Sequence, residues 1–312
     1  MRGFLARLAL FFAVLALLQG LVGPWSFPEV ARQLEELAAL RPPFLLLGDS
    51  SVLRSDPADV DRRSTAQMLA ERRNATVGTL MGGAQTGDLW SYEVRDLVRR
   101  GVRFEVVVAV INLRSFSPSW DLEPRYQFVA ERTFLGLPPY LRPFLKPLVV
   151  FGAVDLQPVA GTDFGDAAVY DGTTQVGRAL DYAGLTGSPA ERERSMLLYF
   201  YMGTLRADHR KLRSLATLAD LLREARVRLL FYVSPIDVER GKAAFGTRFR
   251  DRLEENIGTI ERELVPRGAE VLNLCCGLPD SHFSYVEYPN EHLKAAGRRA
   301  VADALAAELG SP

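Results

Sequence analysis

The chain has 312 residues, 48% of them hydrophobic, with 38 Lys and Arg balanced by 38 Asp and Glu. That length suits one large α/β domain with a substantial core, or two small ones. Zero formal net charge with no clustered basic face argues against a nucleic-acid partner, and no His, Cys or carboxylate cluster has metal-ligand spacing, so neither a metal nor another cofactor is expected.

Residues 4–25 hold an almost unbroken apolar run from Leu8 to Trp25. A bilayer core needs about 20 apolar residues, so the run just suffices, with Arg7 at one interface and Trp25 at the other. Arg2 and Arg7 precede the run and Glu29 is the first charge after it, so the positive-inside rule keeps the amino terminus cytoplasmic and exports the rest. Residues 1–25 are thus expected to be a single-pass membrane anchor, leaving the remainder exocytoplasmic, periplasmic or extracellular. A cleaved signal peptide is the competing reading, and Leu18-Gln-Gly-Leu-Val-Gly is a poor match to its small-residue cleavage site. Residues 26–42 predict a stalk helix, with Val30, Leu34, Leu37 and Leu40 on one stripe and Pro42-Pro43 as its stop.

Pro43-Phe-Leu-Leu-Leu-Gly-Asp-Ser-Ser51 reads as a buried parallel strand running into a tight turn. Asp49, Ser50 or Ser51 can cap the helix that follows, and a serine at the carboxyl end of such a strand is placed for chemistry. The pattern then predicts a helix over 56–73 with Val60, Met68 and Leu69 inward, a second strand from Ala75 ending in the glycine turn Gly82-Gly83, a helix over 88–100, and a buried strand over 104–112 ending in Asn112. Residues 115–190 break this rhythm. Its prolines, among them Pro118, Pro138, Pro139 and Pro147, alternate with aromatics such as Trp120, Tyr126, Phe134 and Tyr140, as in a lid or binding insertion. A packing subdomain is the alternative, and the apolar run near 141–154 is a candidate membrane-touching surface, too short to span.

Regular structure is expected again as a long helical region over 190–226, a strand over 229–235 leading to Asp237, a helix over 249–265, and a last strand over 270–276. Asp237 suits either a substrate contact or a helix cap. Cys275 and Cys276 are the only cysteines; as neighbours on a strand they would face opposite ways, so they read as buried apolar residues. Of three histidines, His209 lies in a charged helical segment and reads as solvated, His282 follows the last strand, and His292, in Tyr288-Pro-Asn-Glu-His-Leu293, opens a terminal helix anchored by Leu293, Val301, Leu305 and Leu309.

Gly48-Asp-Ser50, the Gly83 turn, Asn112 and His292, in this order over 43–310, resemble the four blocks of the SGNH (GDSL-like) hydrolase family. The resemblance implies a three-layer α/β/α, doubly wound, mostly parallel sheet in one domain over 43–312. It also implies Ser50 as nucleophile, Gly83 and Asn112 as oxyanion-hole donors, and His292 as general base. Two departures stand out. The third block usually reads Gly-x-Asn-Asp and here is Val110-Ile-Asn-Leu113. The aspartate usually three residues before the histidine is replaced by Pro289, which cannot orient an imidazole. Glu291 is the candidate third member, with Glu287, Asn290 and the more distant Asp280 as alternatives; Asp49, Asp237 and Asn290 are candidate substrate contacts. The activity implied is a serine esterase or O-acyltransferase on an ester-bearing small molecule, glycan or lipid of the cell envelope. The rival reading is a binding or assembly protein with a lapsed triad on the same fold.

Overall fold

Five of the apolar runs pair into one parallel sheet. The computed structural model describes residues 2–21, 28–117, 127–142, 162–163, 188–284 and 291–310. In chain order the strands are β1 (Phe44–Gly48), β2 (Val77–Met81), β3 (Val106–Ile111), the two-residue β4 (Thr162–Asp163) and β5 (Thr204–Leu205), β6 (Arg228–Val233) and β7 (Glu270–Asn273). β4 and β5 form a separate antiparallel pair, and the main sheet has the order β2-β1-β3-β6-β7. Leu45, Leu46, Leu47 and all six residues of β3 are buried, as strands covered on both faces require.

The order explains the layers. A right-handed crossover puts its helix on one face when the chain moves one way along the sheet and on the other when it reverses. Helix Thr65–Arg73, between β1 and β2, therefore lies opposite helices Gly87–Arg99, Arg210–Glu224 and Thr247–Leu264, which follow the reversal. The packing agrees: Thr65–Arg73 meets the terminal helix Ala295–Glu308, whereas Arg210–Glu224 meets both Gly87–Arg99 and Thr247–Leu264. At Gly87 the first of these contacts is close enough that a Cβ would stand 2.8 Å from the Leu215 nitrogen. Direction reverses between β1 and β3, and Ser50 and Asn112 stand just past the carboxyl ends of those two strands, where doubly wound sheets open a crevice.

Several expectations are corrected. The amino-terminal run is helical over Arg2–Leu21, but no helix of the described residues is long and apolar enough to cross a membrane. Phe4, Leu5, Leu10, Phe11 and Leu17 on it are each more than half exposed. The helix expected over 56–73 starts only at Thr65, where Ser64 and Gln67 form a reciprocal capping box, and Val60 is fully exposed. The region over 190–226 is two helices, Pro189–Tyr201 and Arg210–Glu224, divided by β5 and capped at the second start by His209. His209 is fully buried with its ring edge-on to Phe116 at 5.3 Å, because its Nδ1 accepts the Lys211 amide; it is not a solvated surface residue. β7 stops at Asn273, so Cys275 and Cys276 occupy a turn with their sulfurs 2.9 Å apart instead of facing opposite ways.

The terminal helix begins at Ala295, after His292, and Leu293, Val301, Leu305 and Leu309 are buried as expected. Much of the proline- and aromatic-rich stretch lies outside the described residues, including Trp120, Tyr126 and 143–154. Within its described part, helix Val129–Gly136 packs on Gly87–Arg99, and Arg142 pairs with Asp96 at 2.6 Å while donating to the Leu135 and Leu137 carbonyls.

Candidate active site

Ser50 opens the one-turn helix Ser50–Leu53 directly after β1 and is mostly buried. His292 arrives from the other end of the chain. Two backbone bonds clasp its segment to the stretch after β7: Ser284 N donates to His292 O at 2.9 Å, and Lys294 N to His282 O at 2.8 Å. Arg298 fixes the clasp from below. Its fully buried guanidinium donates to the carbonyls of Leu293, Asp61 and Arg63 and pairs with Asp59 at 2.9 Å. The result is His292 Nε2 3.3 Å from Ser50 Oγ, the reach at which an imidazole can take a hydroxyl proton.

Burial is the main cause that drives the His292 imidazole below its ordinary value; Arg114 and Arg54 act the same way, and Glu291 and Asp49 oppose them. A neutral imidazole at neutral pH is the form a general base needs.

Beneath this pair sits a network of buried charges. Asp49, between Gly48 and Ser50, accepts from Ser51 N at 2.8 Å and Ser51 Oγ at 2.6 Å. Asn112 Nδ2 donates to Asp49 Oδ2 at 3.1 Å and to Glu291 Oε1 at 2.7 Å, while Asn112 Oδ1 accepts from Arg114 N. Glu291 is fully buried; Arg114 Nη2 lies 2.5 Å from Oε1, and Tyr201 donates its hydroxyl to Oε2 at 2.7 Å. Burial pushes the Glu291 carboxyl upward, but Arg114, then His292 and the Asn112 and Tyr201 donors, outweigh it and hold the group below its ordinary value. Asp49 goes the other way: burial, reinforced by Glu291, raises it against its Ser51 hydrogen bonds and the charge of Arg114.

The site residues expected from the sequence thus fall into three groups. Ser50, His292, Asn112, Asp49 and Glu291 come together at one sheet end. Within that group Asn112 spends both amide protons on carboxylates, Glu291 is engaged by Asn112, Arg114 and Tyr201, and Asp49 turns inward as a cap. Gly83 is exposed on the turn after β2, whose last residue is level with Gly48, and a side chain there would meet nothing within 4 Å. Asp237 caps helix Val238–Phe245 through the amides of Glu239 and Arg240, which accounts for its carboxylate as a cap. Asn290, Glu287 and Pro289 lie outside the described residues.

Sequence reasoning missed Arg114, Tyr201 and Arg298, and a second buried charge centre. There Asp88 meets Arg210 at 2.7 Å, Lys211 at 3.6 Å and the Ser214 hydroxyl at 2.6 Å. Burial raises Asp88, but Lys211 and Arg210 prevail and lower it. A cavity of about 10 Å³, room for one water, lies beside Asp49, Asn112, Thr86, Trp90 and Lys211, between the two centres. Among the described residues no group of His, Cys, Asp and Glu is arranged to hold a metal.

No family model and no curated protein matches the chain. Among solved structures, a carbohydrate acetylesterase family member from Sinorhizobium meliloti is similar at 10% identity over 85% of this chain and 96% of that one, with a TM-score of 0.42. An acetylxylan esterase from Geobacillus stearothermophilus, a catalytic mutant, is similar at 10% identity over 86% and 94%, with a TM-score of 0.42. The aryl esterase of M. smegmatis is similar at 9% identity over 85% and 97%, with a TM-score of 0.36.

Proposed function

We propose that the chain is an SGNH-type serine hydrolase acting on ester bonds, either as an esterase or as an O-acyltransferase, with an acylated glycan or lipid of the cell envelope as substrate. The observation that carries this reading is His292 Nε2 at 3.3 Å from Ser50 Oγ at the carboxyl end of β1. His292 takes the Ser50 proton as Oγ attacks the ester carbonyl. The oxyanion is met by N–H groups near Ser50 and Gly83 and by the Asn112 amide, which joins only by giving up one of its carboxylates. His292 then returns its proton to the leaving alcohol, and water or a sugar hydroxyl resolves the acyl-enzyme.

The envelope location is supported by the apolar helix Arg2–Leu21, whose phenylalanines and leucines are exposed among the described residues and suit a membrane surface. Fluorophosphonate labelling of the full chain in detergent, with aryl-ester hydrolysis in parallel, tests the reaction. Label and turnover are expected in the wild type and lost in both Ser50→Ala and His292→Ala, with turnover falling on the order of 10^4 or more. A folded wild type that takes no label would refute it. One observation favours the second reading, a binding protein with a lapsed triad: both amide protons of Asn112 already serve carboxylates. Tight binding of an acylated glycan or lipid without turnover would establish that reading instead.

A further inference from the structure

The turn after β7 carries an arrangement the hydrolase reading does not use. Cys275 and Cys276 are adjacent in sequence, both are reduced, and their sulfurs are 2.9 Å apart. We propose that they form a redox-active vicinal dithiol, which closes to a disulfide by exchange with an external disulfide and reopens with a thiol.

The two positions divide the labour of such a pair. Cys276 is partly exposed and Cys275 is wholly buried, so an incoming disulfide meets Cys276 first. The Cys276 thiol is lowered, chiefly by its hydrogen bond with Cys275, with Arg250 and Lys242 assisting against burial and Glu254. The same hydrogen bond, with burial, raises Cys275. A low thiol that is reachable and close to cations is the usual setting of an attacking cysteine, and a buried, protonated neighbour is the resolving one. The turn itself is pinned, since Cys275 N donates to Asn273 Oδ1 at 3.0 Å and Ile236 N donates to Cys275 O at 2.8 Å. These bonds fix the main chain of Cys275, from which its sulfur extends toward that of Cys276.

The chemistry balances with a low-molecular-weight disulfide as oxidant. The Cys276 thiolate attacks one of its sulfurs, forming a mixed disulfide and releasing one thiolate. Cys275 then gives up its proton and attacks Cys276 Sγ, closing the protein disulfide and releasing the second thiolate. The protein loses two electrons and two protons, and the oxidant becomes two thiols. Adjacent Cα atoms are only about 3.8 Å apart, below the span most disulfides adopt, so the closed ring is strained and readily reduced. That suits a reversible couple and not a structural staple.

The test incubates the folded full chain with oxidised glutathione, alkylates the remaining thiols, and reads the intact mass and the tryptic peptide spanning 268–294, which holds both cysteines. The expected wild-type product has lost two hydrogens, carries neither alkyl nor glutathione, and returns to two alkylated thiols after mild reduction. Cys275→Ser should stop at a glutathione adduct on Cys276, and Cys276→Ser should leave Cys275 unmodified. In unmutated protein, phenylarsine oxide, which bridges paired thiols, should protect both cysteines from alkylation at one equivalent. A lasting glutathione adduct on the wild type, or thiols that react only after unfolding, would overturn the proposal.

Discussion

Glu291, the residue before His292, lies 2.5 Å from the Arg114 guanidinium with both side chains almost wholly removed from solvent. A carboxylate there has lost its hydration, and the attraction of Arg114 with the Asn112 and Tyr201 bonds offsets that loss. Arg114→Ala strands the charge and should destabilise the fold by about 3–5 kcal/mol in urea melts. Arg114→Lys should recover only part, because one ammonium cannot reproduce a fork that also stacks 5.4 Å from the Phe200 ring. Wild-type stability in the alanine variant would rule out this account of how the base is held.

His292 sets the acid limb of activity. Its neutral form is the active one and burial lowers its pKa, so kcat/KM should hold as pH falls to the ordinary histidine value of about 6.5 and decline only below it. Glu291→Gln removes a charge that raises His292, so the limb should move to lower pH. A limb at or above the ordinary value would mean another group titrates.

Glu93 supplies a second pH dependence, remote from the serine. It is fully buried on helix Gly87–Arg99, neither oxygen has a hydrogen-bond partner among the described residues, and burial, with Glu131 adding, pushes it up to about 8. Between its unfolded value of 4.5 and about 8 the folded chain keeps a proton that the unfolded chain has released, so stability falls as pH rises. The slope approaches about 1.4 kcal/mol per pH unit within that window. Glu93→Met should abolish the slope and stabilise at pH 8; chemical denaturation across pH reads both effects.

Arg298 ties the base-bearing segment to the loop over 59–63. Arg298→Met removes the bonds to Leu293, Asp61 and Arg63 and leaves Asp59 without its ion pair, so a loss of about 3–5 kcal/mol is expected. At temperatures where the variant stays folded, kcat should drop more than KM changes, because the 3.3 Å approach of His292 to Ser50 loses its support. Equal kcat would confine Arg298 to stability.

The sheet was readable because a strand buried on both faces leaves a run such as Leu45-Leu46-Leu47 that allows little else, and the resemblance of separate short blocks singled out Ser50 and His292, which the fold brings within 3.3 Å. The supporting charges were harder. Arg114 sits three residues past β3 and looks like any surface arginine; only the fold sets it under Glu291. Arg298 did leave a trace, as it falls on the same helical stripe as Val301 and Leu305, where a charge needs a partner. The cysteine turn was misread because β-strand alternation was extended past Asn273, where the ladder ends.

Tyr201 is the last residue of helix Pro189–Tyr201, and its hydroxyl ends on Glu291. One hydrogen bond therefore ties the end of that helix to the residue beside the base. Loss of the hydroxyl should change the electrostatic setting of His292 through Glu291, without any contact to Ser50. Tyr201→Phe cuts this line at a single atom while leaving the packing against Phe249 in place.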